Sequence, residues 1–181
     1  MTDVMHLFTL CARRSLPPVG FFDPLGLSEG KSDEEMKKIR EAELKHGRLA
    51  MVASLGFLTG ENFNPFFDGK ISGPAIYQFQ QADELLPYFW VLVMFGVALV
   101  EGQTILTAWE SPEVTKARGD TVANLKDTYI NGDLGFDPLG LKPEGDDFDV
   151  MRTKELQNGR LAMLGIAGMV AQELVSGKTL F

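Results

Sequence analysis

The sequence contains one cysteine, Cys11, so no internal disulfide can staple the fold. Positive charge is scarce as well: 17 Lys and Arg stand against 25 Asp and Glu, for a net charge of −8. That balance lacks the basic footprint of a nucleic-acid binder, and no nucleic-acid partner is expected. Histidine occurs twice, tryptophan twice and tyrosine three times, while phenylalanine, with 13, dominates the aromatics. Long uncharged apolar runs are also few. Leu85–Val100, LLPYFWVLVMFGVALV, is the longest, and Leu49–Gly60 and Leu161–Gln172 are shorter. Neither short run reaches the roughly 20 residues that a membrane-spanning helix needs. Yet mean hydropathy is close to zero although 23% of residues are charged, so the apolar residues must be concentrated.

What is present is a repeat. ELKHGRLAM at 43–51 returns as ELQNGRLAM at 155–163, and FDPLGL at 22–27 returns at 136–141. The 181 residues therefore read as one domain, with repeat units at about 20–60 and 134–176 and an unrepeated middle helix at about 85–107. Each short apolar run reaches spanning length only by extending backward through its charged motif. Spans at about 43–60, 85–107 and 155–175 leave eight cations in residues 1–48 and seven in 109–160 on one side. Only Lys70 and Lys178 remain for the other. This positive-inside bias places the N-terminus on the cytoplasm-like side. Ser32 followed by Glu35 reads as a capping box opening the first helix, from about Ser32 to Thr59. Asp146, Asp147 and Asp149 place negative charge at the start of the last, from about Phe148 to Ser176. The segment 61–84, broken by Pro and Gly, reads as interfacial loop.

The charged residues of the repeat pose the central problem. Glu43 and Arg48 are five residues apart, roughly 140° around a helix, so they do not form an i,i+4 pair; the same holds for Glu155 and Arg160. An unpaired charge in hydrocarbon costs at least about 2.5–3.5 kcal/mol. Two helices related by a pseudo-twofold axis solve this if Glu43 meets Arg160 and Glu155 meets Arg48. The small residues Gly47, Ala50 and Ala53, and Gly159, Ala162 and Gly165, suit a close crossing. An ion-paired Glu keeps an oxygen lone pair, and His46 and Asn158 each follow their Glu by three residues on its helix face. Carboxylate, imidazole and amide oxygen are all suitable axial ligands for a magnesium ion held by a macrocycle. Gln172 and Glu101 add two further acceptors in apolar surroundings. A purely structural lock would explain the four charges but not His46 and Asn158.

ELKHGRLAM, ELQNGRLAM, the two FDPLGL copies, VEG in the middle helix and AQELVSGK near the end resemble the light-harvesting chlorophyll-binding antenna proteins of chloroplasts, from Gly20 to Lys178. The resemblance implies an all-α membrane protein with three transmembrane helices, the first and third crossed with pseudo-twofold symmetry. It implies Glu43, His46, Glu101, Glu155, Asn158 and Gln172 as chlorophyll magnesium ligands, with Arg48 and Arg160 in the interhelix ion pairs. It implies carotenoid-binding loops at Asp23, Pro24 and Leu25 and at Asp137, Pro138 and Leu139. Where green-plant members have Glu-Gly-Tyr-Arg, this chain has EGQT at Glu101–Thr104, and it has Val93 where a Gln is expected. With ISGPAIYQFQQAD, these departures look more like the chlorophyll a/c antennae, which implies chlorophyll a, chlorophyll c and a fucoxanthin- or peridinin-like carotenoid. The expected setting is the chloroplast thylakoid, N-terminus stromal and C-terminus lumenal, beside thylakoid lipids, other antenna subunits and a photosystem I or II core. The expected role is energy transfer without enzymatic chemistry. The alternative is a photoprotective, energy-dissipating relative, for which Glu61, Asp68, Asp83 and Glu84 are lumen-side acids. Gln78, Gln80 and Gln81 either ligate a peripheral pigment or are plain loop polarity. His6 reads as a surface residue.

Overall fold

The computed structural model describes residues 23–62, 69–120, 122–143 and 145–180. His6, Cys11 and Asp68 lie outside the described residues. Among the described residues five helices follow one another: α1 (Asp33–Asn62), α2 (Ala75–Leu85), α3 (Phe89–Ala108), α4 (Pro112–Arg118) and α5 (Asp146–Ser176). Among the described residues, α3 alone is both long and apolar enough to cross a membrane by length and composition. α1 and α5, with 30 and 31 residues, are longer, at about 45 Å each, but carry charge through their first halves.

Local chemistry explains the boundaries. The capping box that opens α1 is reciprocal: Glu35 N donates to Ser32 Oγ at 3.3 Å, and Ser32 N donates to Glu35 Oε2 at 2.9 Å. α3 begins at Phe89, four residues later than the apolar run suggests, because Pro87 and Tyr88 intervene. Tyr88 has φ +81°, a left-handed conformation that no helix interior accepts. α2 forms inside the segment read from sequence as loop. It is bounded by Pro74 before and Pro87 after, so the breakers mark its ends rather than its absence. α4 starts with proline in its first turn and stops at Gly119, whose φ of +84° closes it.

The described residues group into two compact units, one reaching Lys45 and including Thr104–Thr153, the other comprising His46–Gln103 and the described residues from Lys154 onward. In the first, Ala108, Leu125 and Tyr129 form a small buried core with Trp109 and Leu134 packed on it. Lys126 Nζ caps the end of α3 by donating to the carbonyls of Leu106 at 2.7 Å and Thr107 at 3.1 Å. Glu41 is buried on α1. Its Oε1 accepts from Tyr129 Oη at 3.0 Å and its Oε2 from Gly132 N at 3.1 Å. Asn131 Nδ2 donates to the Lys37 carbonyl at 2.7 Å. A buried carboxyl group with both oxygens satisfied ties the 125–134 segment to α1.

From the aspartate onward, both FDPLGL copies form the same kind of turn in this unit. Asp23 accepts from Leu27 N at 2.9 Å, Ser28 N at 2.8 Å and Ser28 Oγ. Asp137 accepts from Leu141 N at 3.0 Å and Lys142 N at 2.8 Å. Gly26 and Gly140 share a φ of +63°, which only glycine adopts without strain. The carboxylates thus organise the turns, and their apolar residues face outward: Leu25, Leu27, Phe136, Leu139 and Leu141 are all exposed. Hydrogen bonds from Ser28 hold the Asp23 carboxyl below its ordinary value, and those from Lys142 and Leu141 do the same for Asp137. A depressed folded-state pKa means that the turn's stability is fully present above the ordinary carboxylate range and is lost as pH falls through the folded value. Thermal stability should therefore drop on acidification below about pH 4. The double variant Asp23→Asn, Asp137→Asn should lose less of its stability over that interval. Equal acid slopes in the two proteins would refute this role.

Candidate functional site

In the second unit α1 and α5 meet at two glycines. A Cβ built on Gly47 would lie 3.0 Å from Gly159 Cα, and one on Gly159 would lie 3.0 Å from Gly47 Cα. Backbone rests on backbone there, an approach that a side chain would prevent. Gly165, expected from sequence to share this role, does not: nothing lies within 4 Å of the position its Cβ would take. Beside the glycines, Arg48 Nε donates to Glu155 Oε1 at 2.7 Å. Ser54 Oγ continues the seam, donating to the Ala50 carbonyl at 2.8 Å and reaching the Ala162 carbonyl at 3.4 Å.

Burial repeats with the sequence. Leu44 and Leu156, equivalent positions of the two copies, are buried, as are Gly47 and Gly159. Leu49 and Leu161 are each 70% exposed, and Val52 and Leu164 are exposed alike. Each copy thus turns one leucine and its glycine inward and its later branched apolar residues outward. Such apolar surface suits an apolar surrounding and not water.

The polar residues of the motifs stand at the edge of this surface. Asn158 is exposed on α5, and its Nδ2 donates to the Lys154 carbonyl at 2.9 Å. With the donor end engaged, Oδ1 has no hydrogen-bond donor among the described residues. Glu155 spends Oε1 on Arg48, and Oε2 has no partner among the described residues. Gln172, fourteen residues beyond Asn158, comes back to within about 40° of the same face. It is exposed too, and makes no hydrogen bond among the described residues. On α1, His46 is exposed and Glu43 is half-buried; on α3, Glu101 is exposed; Arg160 is exposed on α5. Arg40 Nη1 donates to Glu43 Oε2 at 2.6 Å, a neighbour within α1 that the motif reading did not name.

Three features escaped the sequence reading. Glu41, described above, has no counterpart charge in the second motif to draw attention to it. Gln78 and Gln81 are structural clamps: Gln78 Nε2 donates to the carbonyls of Gly60 at 3.1 Å and Gly73 at 2.9 Å. Gln81 bonds both backbone groups of Ser72, each at 3.0 Å. Glu173 is fully buried, its Oε2 accepting from Ile76 N at 2.8 Å. Glu61 Oε2 accepts from Leu180 N at 2.9 Å. Each of these two carboxyl groups keeps one buried oxygen that receives no donor among the described residues. A signal for this pair existed. Glu61 and Glu173 are separated by 112 residues, the same offset that relates Glu43 to Glu155.

Comparison with known proteins identifies the family. The family model described as Chlorophyll A-B binding protein matches residues 12–174. The fucoxanthin-chlorophyll a-c binding protein of Isochrysis galbana is 46% identical over 163 residues, covering 89% of this chain and 75% of that protein. The light-harvesting complex stress-related protein 3.2 of Chlamydomonas reinhardtii is 44% identical over 171 residues, covering 91% of this chain and 63% of that protein. The fucoxanthin-chlorophyll a-c binding protein of Chattonella marina var. antiqua is 32% identical over 161 residues, covering 86% of this chain and 65% of that protein. The chain thus spans just under two thirds of the length of the stress-related relative. Its doubled motif, the glycine contact between α1 and α5 and the family match over most of its length lead to one conclusion: the chain belongs to the chlorophyll A-B binding protein family.

Proposed function

We propose that this protein is a light-harvesting antenna subunit that binds chlorophyll a, chlorophyll c and a fucoxanthin- or peridinin-like carotenoid and passes excitation to a photosystem core. The observation that carries the proposal is the oxygen pair on α5. Asn158 has its amide nitrogen turned to its own helix backbone and Oδ1 left without a donor among the described residues. One helical turn away, Glu155 has one oxygen on Arg48 and the other available. A magnesium ion in a tetrapyrrole needs one axial donor of this hard, oxygen-rich kind, and the flat ring needs apolar surface beside it. The exposed Leu161 and Leu164 provide such surface. The residues therefore fit the group. Glu43 and His46 hold the equivalent places in the first copy, Gln172 serves further along α5, and Glu101 serves α3. Arg160 completes the reciprocal pairing with Glu43.

In this reading α1, α3 and α5 all cross the thylakoid membrane, within one domain, with the N-terminus stromal and the C-terminus lumenal. The exposed FDPLGL leucines seat carotenoid end groups. The bound pigments supply light absorption and excited states. The chain's own work is to hold them at fixed spacing, tune each site through ligand and charge, and exclude water. No bond is made or broken, so the protein is not an enzyme. Its neighbours are other antenna subunits, lipids and the photosystem.

The pair Glu61 and Glu173 favours a second reading, a dissipating member of the family. Each carboxyl keeps one buried oxygen without a donor among the described residues, which is where a proton would be taken up. One experiment addresses both readings: pigment chromatography of the purified protein, with its fluorescence lifetime at neutral and acidic pH. Bound chlorophyll and carotenoid with a long lifetime at both pH values supports the antenna. A lifetime that shortens on acidification, and no longer does so in Glu173→Gln, supports dissipation. A colourless protein refutes both.

A further inference from the structure

We infer that Gln80 is the axial ligand of an additional, peripheral magnesium tetrapyrrole, seated in the cleft between α2 and the start of α3; the inference rests on the pigment-binding reading above. The three glutamines of α2 have different fates. Gln78 and Gln81, with buried Ala82, form the face that fastens α2 to the 60–73 segment. Gln80 lies about 160° from that face's mean direction. It is exposed, and its side chain makes no hydrogen bond among the described residues, although an amide has four bonding positions to fill.

A cleft of about 510 Å³ opens on this outward side, lined by Phe79, Gln80, Asp83, Glu84 and Trp90. That volume is in the range of sites for large organic ligands. Its walls are aromatic and fixed. Trp90 Nε1 donates to the Phe79 carbonyl at 3.2 Å, and the rings of Phe79 and Trp90 meet edge-on at 6.2 Å. Phe89 braces Trp90 from behind, with ring centroids 5.0 Å apart. The left-handed Tyr88 makes the sharp turn that returns Trp90 to α2, and a strained residue held in place beside a cleft marks a position that the surrounding structure dictates. A flat ring against Phe79 and Trp90, with Gln80 Oε1 on its metal, uses every feature of the cleft. Asp83 and Glu84, one turn along the same face, would be placed to take a hydrogen bond from a substituent of such a ring.

The experiment counts chlorophylls per polypeptide in the purified pigment–protein complex for wild type, Gln80→Leu, Gln80→Ala and Gln80→His. Gln80→Leu and Gln80→Ala should each lose one tetrapyrrole per chain with helical circular dichroism unchanged, because the side chain supports nothing else. Gln80→His, which supplies a nitrogen donor, should retain it. A full complement in both Gln80→Leu and Gln80→Ala overturns the inference and leaves the antenna reading standing. Loss of the pigment in Gln80→His as well overturns the ligand role. A wild-type protein without chlorophyll overturns the antenna reading, and this inference with it.

Discussion

Gly159→Val should separate α1 from α5 and cost about 3 kcal/mol or more of stability. The wild-type backbones leave no room: the first atom of any side chain at 159 would sit 3.0 Å from Gly47 Cα. Valine adds two more methyl groups beyond that atom. Overpacking a close contact costs about 1–3 kcal/mol where side chains can yield. Here the neighbour is backbone, so the helices themselves must move, and the 2.7 Å bond from Arg48 to Glu155 goes with them. The helix propensity gained on removing a glycine, about 1 kcal/mol at most, is too small to reverse the sign. Gly165→Val is the matched control, since its side chain would meet nothing within 4 Å. Thermal loss of the visible circular dichroism of the pigmented protein should shift down by many degrees for Gly159→Val and hardly move for Gly165→Val. Similar midpoints for the two would mean that the glycine contact does not hold the helices.

Arg48→Leu should be nearly as damaging, and the reason depends on the surroundings. In the isolated chain both partners are about one-third exposed, at 35% and 31%. In water such a pair would be worth under about 1 kcal/mol. Within a membrane the variant leaves Glu155 charged in hydrocarbon, at a cost of about 2.5–3.5 kcal/mol, or forces it to take up a proton. The magnitude therefore reports whether the site lies in lipid. A thermal series on Arg48→Leu, Glu155→Gln and the double variant should give a large single loss for Arg48→Leu and a clear recovery in the double, because a neutral amide no longer needs the guanidinium. Arg160→Leu should cost about as much as Arg48→Leu if the pairing is reciprocal. A loss under about 0.5 kcal/mol for Arg48→Leu would place the pair in water.

The architecture was legible in the sequence where the repeat wrote it twice. The two long helices end within a few residues of the expected positions. The capping box at Ser32 and Glu35 is formed, and both FDPLGL turns share one geometry. Each of these is a local pattern whose physics is complete within a few residues. The helix Ala75–Leu85 was hidden because Gly73, Pro74 and Pro87 read as loop signals, whereas in space they mark its two ends. The start of α3 was misplaced because an apolar run carries no sign of the turn at Tyr88. Buried polar contacts were the least legible: nothing near Glu41 in sequence points to Tyr129, 88 positions away. Gly165 matched the small-residue pattern yet meets nothing, since composition marks which positions permit a crossing and not where it falls. Of the proposed ligand residues, Glu43 and Glu155 stood out because the chain repeats them, and a repeated charged residue in an apolar helix is costly unless it is used.

The central claim is that Asn158 presents its free oxygen to the magnesium of a chlorophyll. Counting chlorophylls per chain in wild type and in Asn158→Leu tests it most directly. The account predicts a pigmented wild type and a variant that lacks one chlorophyll at unchanged helix content. An Asn158→Leu protein with the full wild-type complement, or a wild type that binds none, would contradict it.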